Sequence, residues 1–186
     1  MGLAEKKPLN PQKLEHGDIL ILIGTTKDEL GGSEYYEYIH GFIGGKCPKV
    51  DFGESKQNME SVLHIIENNW AKNVHDCSKG GLAIAVSELA MTSGMGCMVS
   101  IDKVPSSIPD DKILFSESHS RYLVVPSNLD DLVDYLKKKK VNFGIIGKFE
   151  GKNITFLKNK KAIAKLSVDK AHDKWFNSLK DLVLHG

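Results

Sequence analysis

The amino-acid sequence predicts an α/β fold, a mixed β-sheet flanked by helices. Three observations carry that reading. Short apolar runs of strand length alternate with stretches of helical period. Gly, Pro, Asn and Asp punctuate the boundaries between them. The alternation ends in a cluster of short strands and one helix, with no internal repeat, so the elements are expected to stack as layers around a core.

Taken in order, positions 1–17 read as a linker, polar from Ala4 and carrying Pro8 and Pro11, and 18–186 read as a single domain. Asp18 to Gly24 is a continuous apolar run between turn residues, as expected of a strand buried on both faces. Ser33 to Ile39 suits a short helix. Met59 to Trp70 places apolar residues at 59, 62, 63, 66 and 70, a helical period. Val74 leads as strand into a turn with two glycines. Leu82, Val86 and Leu89 then form the buried face of a helix that Gly94 or Gly96 ends. Cys97 to Ile101 and Arg121 to Val125 read as strands. Leu129 to Leu136 is an amphipathic helix, and Lys137 to Lys140 offset the negative end of its dipole. Val141 to Ile146, Asn153 to Lys158 and Ala162 to Leu166 read as three short strands. Asp169 is expected to cap a final helix whose apolar stripe is Val168, Ala171, Trp175, Leu179 and Leu182.

Composition narrows the function classes. The chain has 186 residues, 41% of them hydrophobic, enough for one buried core. A formal net charge of +1 gives no electrostatic case for nucleic acid. Cys47, Cys77 and Cys97 lack the spacing of a zinc site or a disulfide framework. No signal peptide or long apolar run is present, so the expected location is cytoplasmic, with no membrane contact. Among 25 lysines and arginines only Arg121 is an arginine, which favours a specific role for it.

Three segments carry candidate chemistry. In Val74-His75-Asp76-Cys77-Ser78-Lys79-Gly80-Gly81-Leu82, the paired Gly80 and Gly81 let the backbone approach a ligand closely, and the helix start offers unpaired amides to an anion. Asp76 either binds metal or caps that helix. His75 is the histidine to test, and Cys77 reads as a small core residue. In Glu29-Leu30-Gly31-Gly32-Ser33-Glu34-Tyr35, the amides of Gly31, Gly32 and Ser33 either cradle a phosphate or form a tight turn. In Phe115-Ser116-Glu117-Ser118-His119-Ser120-Arg121, Glu117 and Ser118 either touch a ligand or, for Glu117, pair with Arg121.

With the run from Gly17 to Thr26, these segments form an ordered series that resembles the C-terminal half of the large subunit of phosphoribosylformylglycinamidine synthases. The series there reads G-D, T-x-x-E-L-G-G-S-E-Y, H-D-x-S-x-G-G-L and F-S-E-S-x-x-R, and the likeness spans Met1 to Phe149. Met1-Gly2-Leu3 is similar to the end of the ATP-binding domain that precedes this module. The resemblance implies a fold like the C-terminal domain of aminoimidazole ribonucleotide synthetase. It implies a role in a ligase that turns formylglycinamide ribonucleotide, glutamine and ATP into formylglycinamidine ribonucleotide. The implied partners are ATP-binding domains and a glutaminase component. Mg²⁺ and ATP belong to the complete enzyme, and the fragment alone is expected to be inactive, without tightly bound cofactor. By analogy with the duplicated N-terminal copy, Asp76 would hold Mg²⁺, and Glu117 and Ser118 would meet the ribonucleotide. His119 stands where that copy has Gln, and Lys79 stands where an acid is usual. Phosphate or substrate contacts would then come from Gly31, Gly32, Ser33, Gly80, Gly81, Glu117, Ser118 and Arg121, with both motif segments on one cleft. The alternatives are a non-catalytic scaffold or a module of another ATP-dependent enzyme of the same superfamily.

Overall fold

The β1 strand (Ile19–Ile23) shows how the molecule is layered. Leu20 and Leu22 enter one apolar core, Ile21 and Ile23 enter another, and all four are fully buried. A strand buried on both faces has to be apolar at every position, which accounts for the unbroken run. The computed structural model describes residues 9 and 11–185. The segment Met1–Leu3 and the side chains at 179–182, 184 and 185, with the expected stripe positions Leu179 and Leu182, lie outside the described residues.

The other strands are β2 (Ala71–Asp76), β3 (Cys97–Ser100), β4 (Tyr122–Pro126), β5 (Phe143–Phe149), β6 (Asn153–Lys158) and β7 (Lys161–Ser167). They form a seven-stranded sheet in the order β2-β4-β1-β5-β3-β6-β7. The β3–β6 pair is parallel and the other neighbours are antiparallel, so the sheet is mixed as expected. The helices are α1 (Glu34–His40), α2 (Phe52–Glu67), α3 (Gly81–Ser93), α4 (Asp110–Phe115), α5 (Leu129–Lys139) and α6 (Val168–His185). On one face α3, α4 and the start of α6 pack through Leu82, Val86, Leu89, Leu114, Val168 and Ala171. On the other face α2 and α5 pack through Val62, Ile65, Leu132 and Leu136.

Several boundaries differ from expectation, each for a local reason. The helix expected from Met59 begins at Phe52, because the Asp51 carboxylate accepts from the Glu54 amide at 3.0 Å and starts it earlier. It ends at Glu67, so Trp70 lies beyond it, edge-on to His64 and Tyr135. Six-residue α4 is too short to show a period. The final helix is capped by the Ser167 hydroxyl, 3.2 Å from the Lys170 amide, and not by Asp169, which sits in its first turn. Residues 11–17, expected as a linker, lie along the sheet. The Gln12 amide donates to Lys72 O, the Gly17 amide donates to Phe149 O, and Leu14 is 3% exposed. Among the described residues no helix is long and apolar enough to cross a membrane.

Candidate functional site

Register brings the motif segments together. At the end of β2 Asp76 pairs with Tyr122, at the start of β4, and on the other side of β4 Tyr122 pairs with Ile23, at the end of β1. The loops after β1, after β2 and before β4 therefore meet at one end of the sheet. The Cys77 amide extends the ladder by donating to Arg121 O at 2.9 Å. A cleft of about 360 Å³ opens there, lined by 76–79 and 117–122. The expectation that the two segments share one cleft is met.

The chain itself occupies much of the polar capacity of this region. One oxygen of Glu117, Oε1, accepts from the Gly80 amide at 2.8 Å and from the Glu34 amide at 3.0 Å. A carboxylate thus already sits at the starts of α3 and α1. This overturns the Glu117–Arg121 pair, because Glu117 is spent on backbone amides. Gly80 and Gly81 both have positive φ, and a Cβ at Gly81 would lie 2.4 Å from Ser116 O, so these glycines serve close packing of the two segments. The Gly81 amide donates to Ser78 O. Gly80 is the N-cap of α3 and no side chain caps that helix, so Asp76 is not its cap.

Gly31, Gly32 and Ser33 do not form an open cradle. The Gly32 amide donates to Gly44 O, the Ser33 amide donates to Leu30 O, and a Cβ on Gly31 would collide with the Lys46 backbone at 2.0 Å. Ser33 caps α1 with its hydroxyl oxygen. The tight-turn alternative is the one observed.

Arg121 is 1% exposed and its guanidinium points inward. Nε donates to Ser118 O at 3.0 Å, Nη1 to Thr26 Oγ1 at 3.0 Å, and Nη2 to Ser116 O. This corrects the expectation that it offers ligand contacts, since the fork is consumed by the loops that frame the cleft. Among the described residues no carboxylate pairs with it at salt-bridge distance. Burial lowers its pKa, with Cys77, Glu29 and Glu117 pulling the other way through space. Ser118 is also internal, 1% exposed, with its hydroxyl accepting from the Lys27 amide at 3.0 Å. Ser116 donates to Lys27 O at 2.7 Å and lies 3.1 Å from the Ser118 hydroxyl. Thr26 and Ser116 were not legible as site residues. The one available signal was the spacing of Ser116 and Ser118, which puts both on the same side of an extended segment.

Asp76, Ser78, Lys79 and His119 remain exposed at the cleft. Lys79 reaches Glu34 Oε1 at 3.0 Å, and that hydrogen bond raises its pKa, so the unusual lysine has both an anionic neighbour and exposure. Cys77 is buried as expected, and desolvation pushes its thiol up to about 11. The His75 ring has Nδ1 2.6 Å from Asp76 O and Nε2 3.4 Å from Glu88 Oε2, and it lines two neighbouring clefts instead of this one. Among the described residues no group of three or more His, Cys, Asp or Glu side chains could hold a metal. The donor set around Asp76 therefore fits a cation that brings waters and ligand oxygens with it, as Mg²⁺ does, and not a protein-built cage.

A mixed sheet with helices on both faces and an anion-lined cleft at one sheet end defines the class of the molecule, an α/β domain of nucleotide-pathway ligase type. The chain belongs to the family described as AIR synthase related protein, C-terminal domain, whose profile matches residues 15–159. It is 34% identical over 171 residues to phosphoribosylformylglycinamidine synthase subunit PurL of Alkaliphilus metalliredigens, covering 91% of this chain and 23% of that protein. It is 40% identical over 151 residues to the same subunit of Thermococcus sibiricus, covering 80% and 21%. The chain thus spans less than a quarter of the length of these curated relatives. Among solved structures, Thermotoga maritima PurL complexed with FGAR superposes with a TM-score of 0.76 at 22% identity, over 88% of this chain and 29% of that one. E. coli HypE, a hydrogenase maturation protein, gives 0.60 at 17%, over 84% and 50%. At these identities the structural likeness speaks for the fold alone.

Proposed function

We propose that this chain is the C-terminal module of a ligase that forms formylglycinamidine ribonucleotide from formylglycinamide ribonucleotide, glutamine and ATP. In this reading the cleft between 76–79 and 117–122 receives the phosphate end of the ribonucleotide or of a nucleotide. The observation that carries it is the meeting of two motif segments, far apart in sequence, on one cleft with a buried cation in its floor. The curated relatives carry the synthase name, and solved T. maritima PurL is described as complexed with FGAR and, separately, with ATP. An assembly described as PurLQS from the same organism supports further chains as partners, among them a glutaminase component.

The chain's own residues would act by binding and orientation. Arg121 contributes positive potential through the floor, not contact. Ser78 and His119 offer polar side chains at the rim, and the Glu117 clasp holds both segments in register. Asp76 would hold Mg²⁺ together with waters and ligand phosphate oxygens. That ion, when bound, would neutralise phosphate charge. A scaffold reading is favoured by one observation, the occupation of both turn amides by Glu117 without any ligand.

The test is titration of the isotope-labelled chain with formylglycinamide ribonucleotide and with ADP–Mg²⁺, followed by NMR. The reading expects shifts at the amides of 76–80 and 117–121 and at the His119 ring, with Asp76→Asn weakening only the Mg²⁺-dependent ligand. No shift at about 10 mM of either ligand, where a millimolar site would be roughly nine-tenths filled, leaves the scaffold reading.

A further inference from the structure

The two faces of the sheet are covered unequally. On the face that packs against α2 and α5, those helices bury residues of β2, β4 and β1. The remaining half of the same face, on β5, β3, β6 and β7, carries no such layer. There α3 and the start of α6 cover only the opposite side, through Cys97, Val99, Phe149, Ile154 and Phe156. The register places Met98, Thr155, Ser100 and Leu157 on the bare side, alternating with those buried residues. Two shallow clefts, of about 540 and 300 Å³, run across it and meet at Met98. Viewed edge-on, this face is a step: a helix layer on one half and a bare sheet on the other.

The two levels of the step are complementary. The bare half has an apolar floor of Ile19, Met98, Ile145 and Leu157, rimmed by five lysines (103, 148, 152, 160 and 165) against Asp102 and Glu150. The raised half presents the outer side of α2, where Phe52, Met59 and Leu63 are 82%, 49% and 52% exposed. Their spacing of seven and four residues makes them one stripe of the helix. Apart from Lys56, the charges on α2 are Glu54, Glu60 and Glu67. An apolar stripe with a negative surround fits an apolar floor with a positive rim.

We propose that two copies of this chain form a two-fold dimer, the α2 face of each seated on the bare β5-β3-β6-β7 face of the other. Because both levels lie on one face of one molecule, a two-fold axis makes the contact twice and closes the assembly. Four strands about 4.8 Å apart and about five residues at 3.3 Å give a bare face of roughly 320 Å². Each copy contributes a bare face and a raised face, so the dimer would bury roughly 1,300 Å², within the range of stable interfaces. A polynucleotide suits the bare face less well. Neither cleft is lined by an arginine or by a Phe, Tyr or Trp, so phosphate forks and stacking platforms are missing.

Sedimentation velocity of the chain at about 50 μM, well above a micromolar dissociation constant, is the test. Wild type is expected to sediment as a dimer, more weakly at high salt. Leu63→Glu and Leu157→Lys are each expected to sediment as monomers while keeping the wild-type circular dichroism spectrum. An equimolar mixture of the two is expected to regain dimer, since one contact in the mixed pair is wild type and the other joins opposite charges. Should Leu157→Lys lose its fold, Lys165→Glu with Glu60→Lys replaces the pair. A monomeric wild type, a dimer indifferent to both substitutions, or a mixture that stays monomeric overturns the proposal. A monomer that is retained by polyanionic DNA at low salt overturns it in favour of a nucleic-acid surface.

Discussion

Replacing Arg121 with methionine is expected to lower stability by about 3 kcal/mol. The guanidinium is 1% exposed and donates to Ser118 O, Thr26 Oγ1 and Ser116 O. Methionine fills much of the aliphatic volume but donates nothing. Two buried carbonyl oxygens then lose their partner, at about 1–3 kcal/mol each, while the Thr26 hydroxyl can turn elsewhere. Relief from burying a cation with no carboxylate in contact returns part of that loss, which brings the sum to about 3 kcal/mol. For a chain of this size that corresponds to a melting temperature lower by about 6–12 °C. Arg121→Lys keeps the charge without the planar fork, and an effect of similar size is expected. Urea unfolding followed by far-ultraviolet circular dichroism measures both. Arg121→Met within about 0.5 kcal/mol of wild type, the range of a neutral surface substitution, would show that the internal clasp contributes nothing. Phosphate that protects wild type but not the variant would instead put the guanidinium in contact with ligand.

Glu117→Ala removes the acceptor of two backbone amides and is expected to cost about 2–3 kcal/mol, with Glu117→Gln, which keeps an acceptor oxygen, costing about half; equal melting of all three forms would show the clasp to be idle. In the folded chain Ellman's reagent is expected to modify exposed Cys47 alone at neutral pH, because burial pushes the Cys77 and Cys97 thiols up to about 11 and about 12. Release of all three thiols without denaturant would contradict the packing. The hydrogen bond to Asp18 raises the Lys72 pKa above its ordinary value of 10.5. Its contribution is therefore fully present below the unfolded value and lost as pH rises through the folded one. A melting profile between about pH 9 and 12 should fall more steeply for wild type than for Lys72→Met, and parallel profiles would remove the pair from the alkaline transition.

The fold was legible where one signal dominated. The β1 run announced a doubly buried strand, and Gly94 ends α3 in the left-handed conformation that favours glycine. Boundaries failed where a cap decided them, since the Asp51 side chain extends α2 by almost two turns ahead of its apolar period. The site was legible as a pair of segments and not as a set of roles. That 76–81 and 117–121 meet depends on β2 and β4 being neighbours, and the ordered motif series anticipated that. Which atoms face the ligand depends on where single side chains turn. Arg121 and Ser118 sit in a motif that reads as binding, yet both turn inward to loops far off in sequence, which a linear pattern does not encode.

The inward turn has a consequence for how the site is built. A cleft whose walls are three loops has to be held in shape before a ligand arrives, or binding must supply the ordering cost. Here the chain holds it. Glu117 ties the start of α3 to the start of α1, and Arg121 ties 116–118 to Thr26. Ser116 and Ser118 then fasten that segment to the backbone at Lys27. The residues that look most like ligand contacts in the sequence are therefore the ones that position the walls. The contacts themselves fall to the exposed side chains between them, Asp76, Ser78 and His119. A substitution in the first group should act on stability and on every ligand together. One in the second group should leave the fold intact and separate one ligand from another, and that split distinguishes a positioning residue from a binding one.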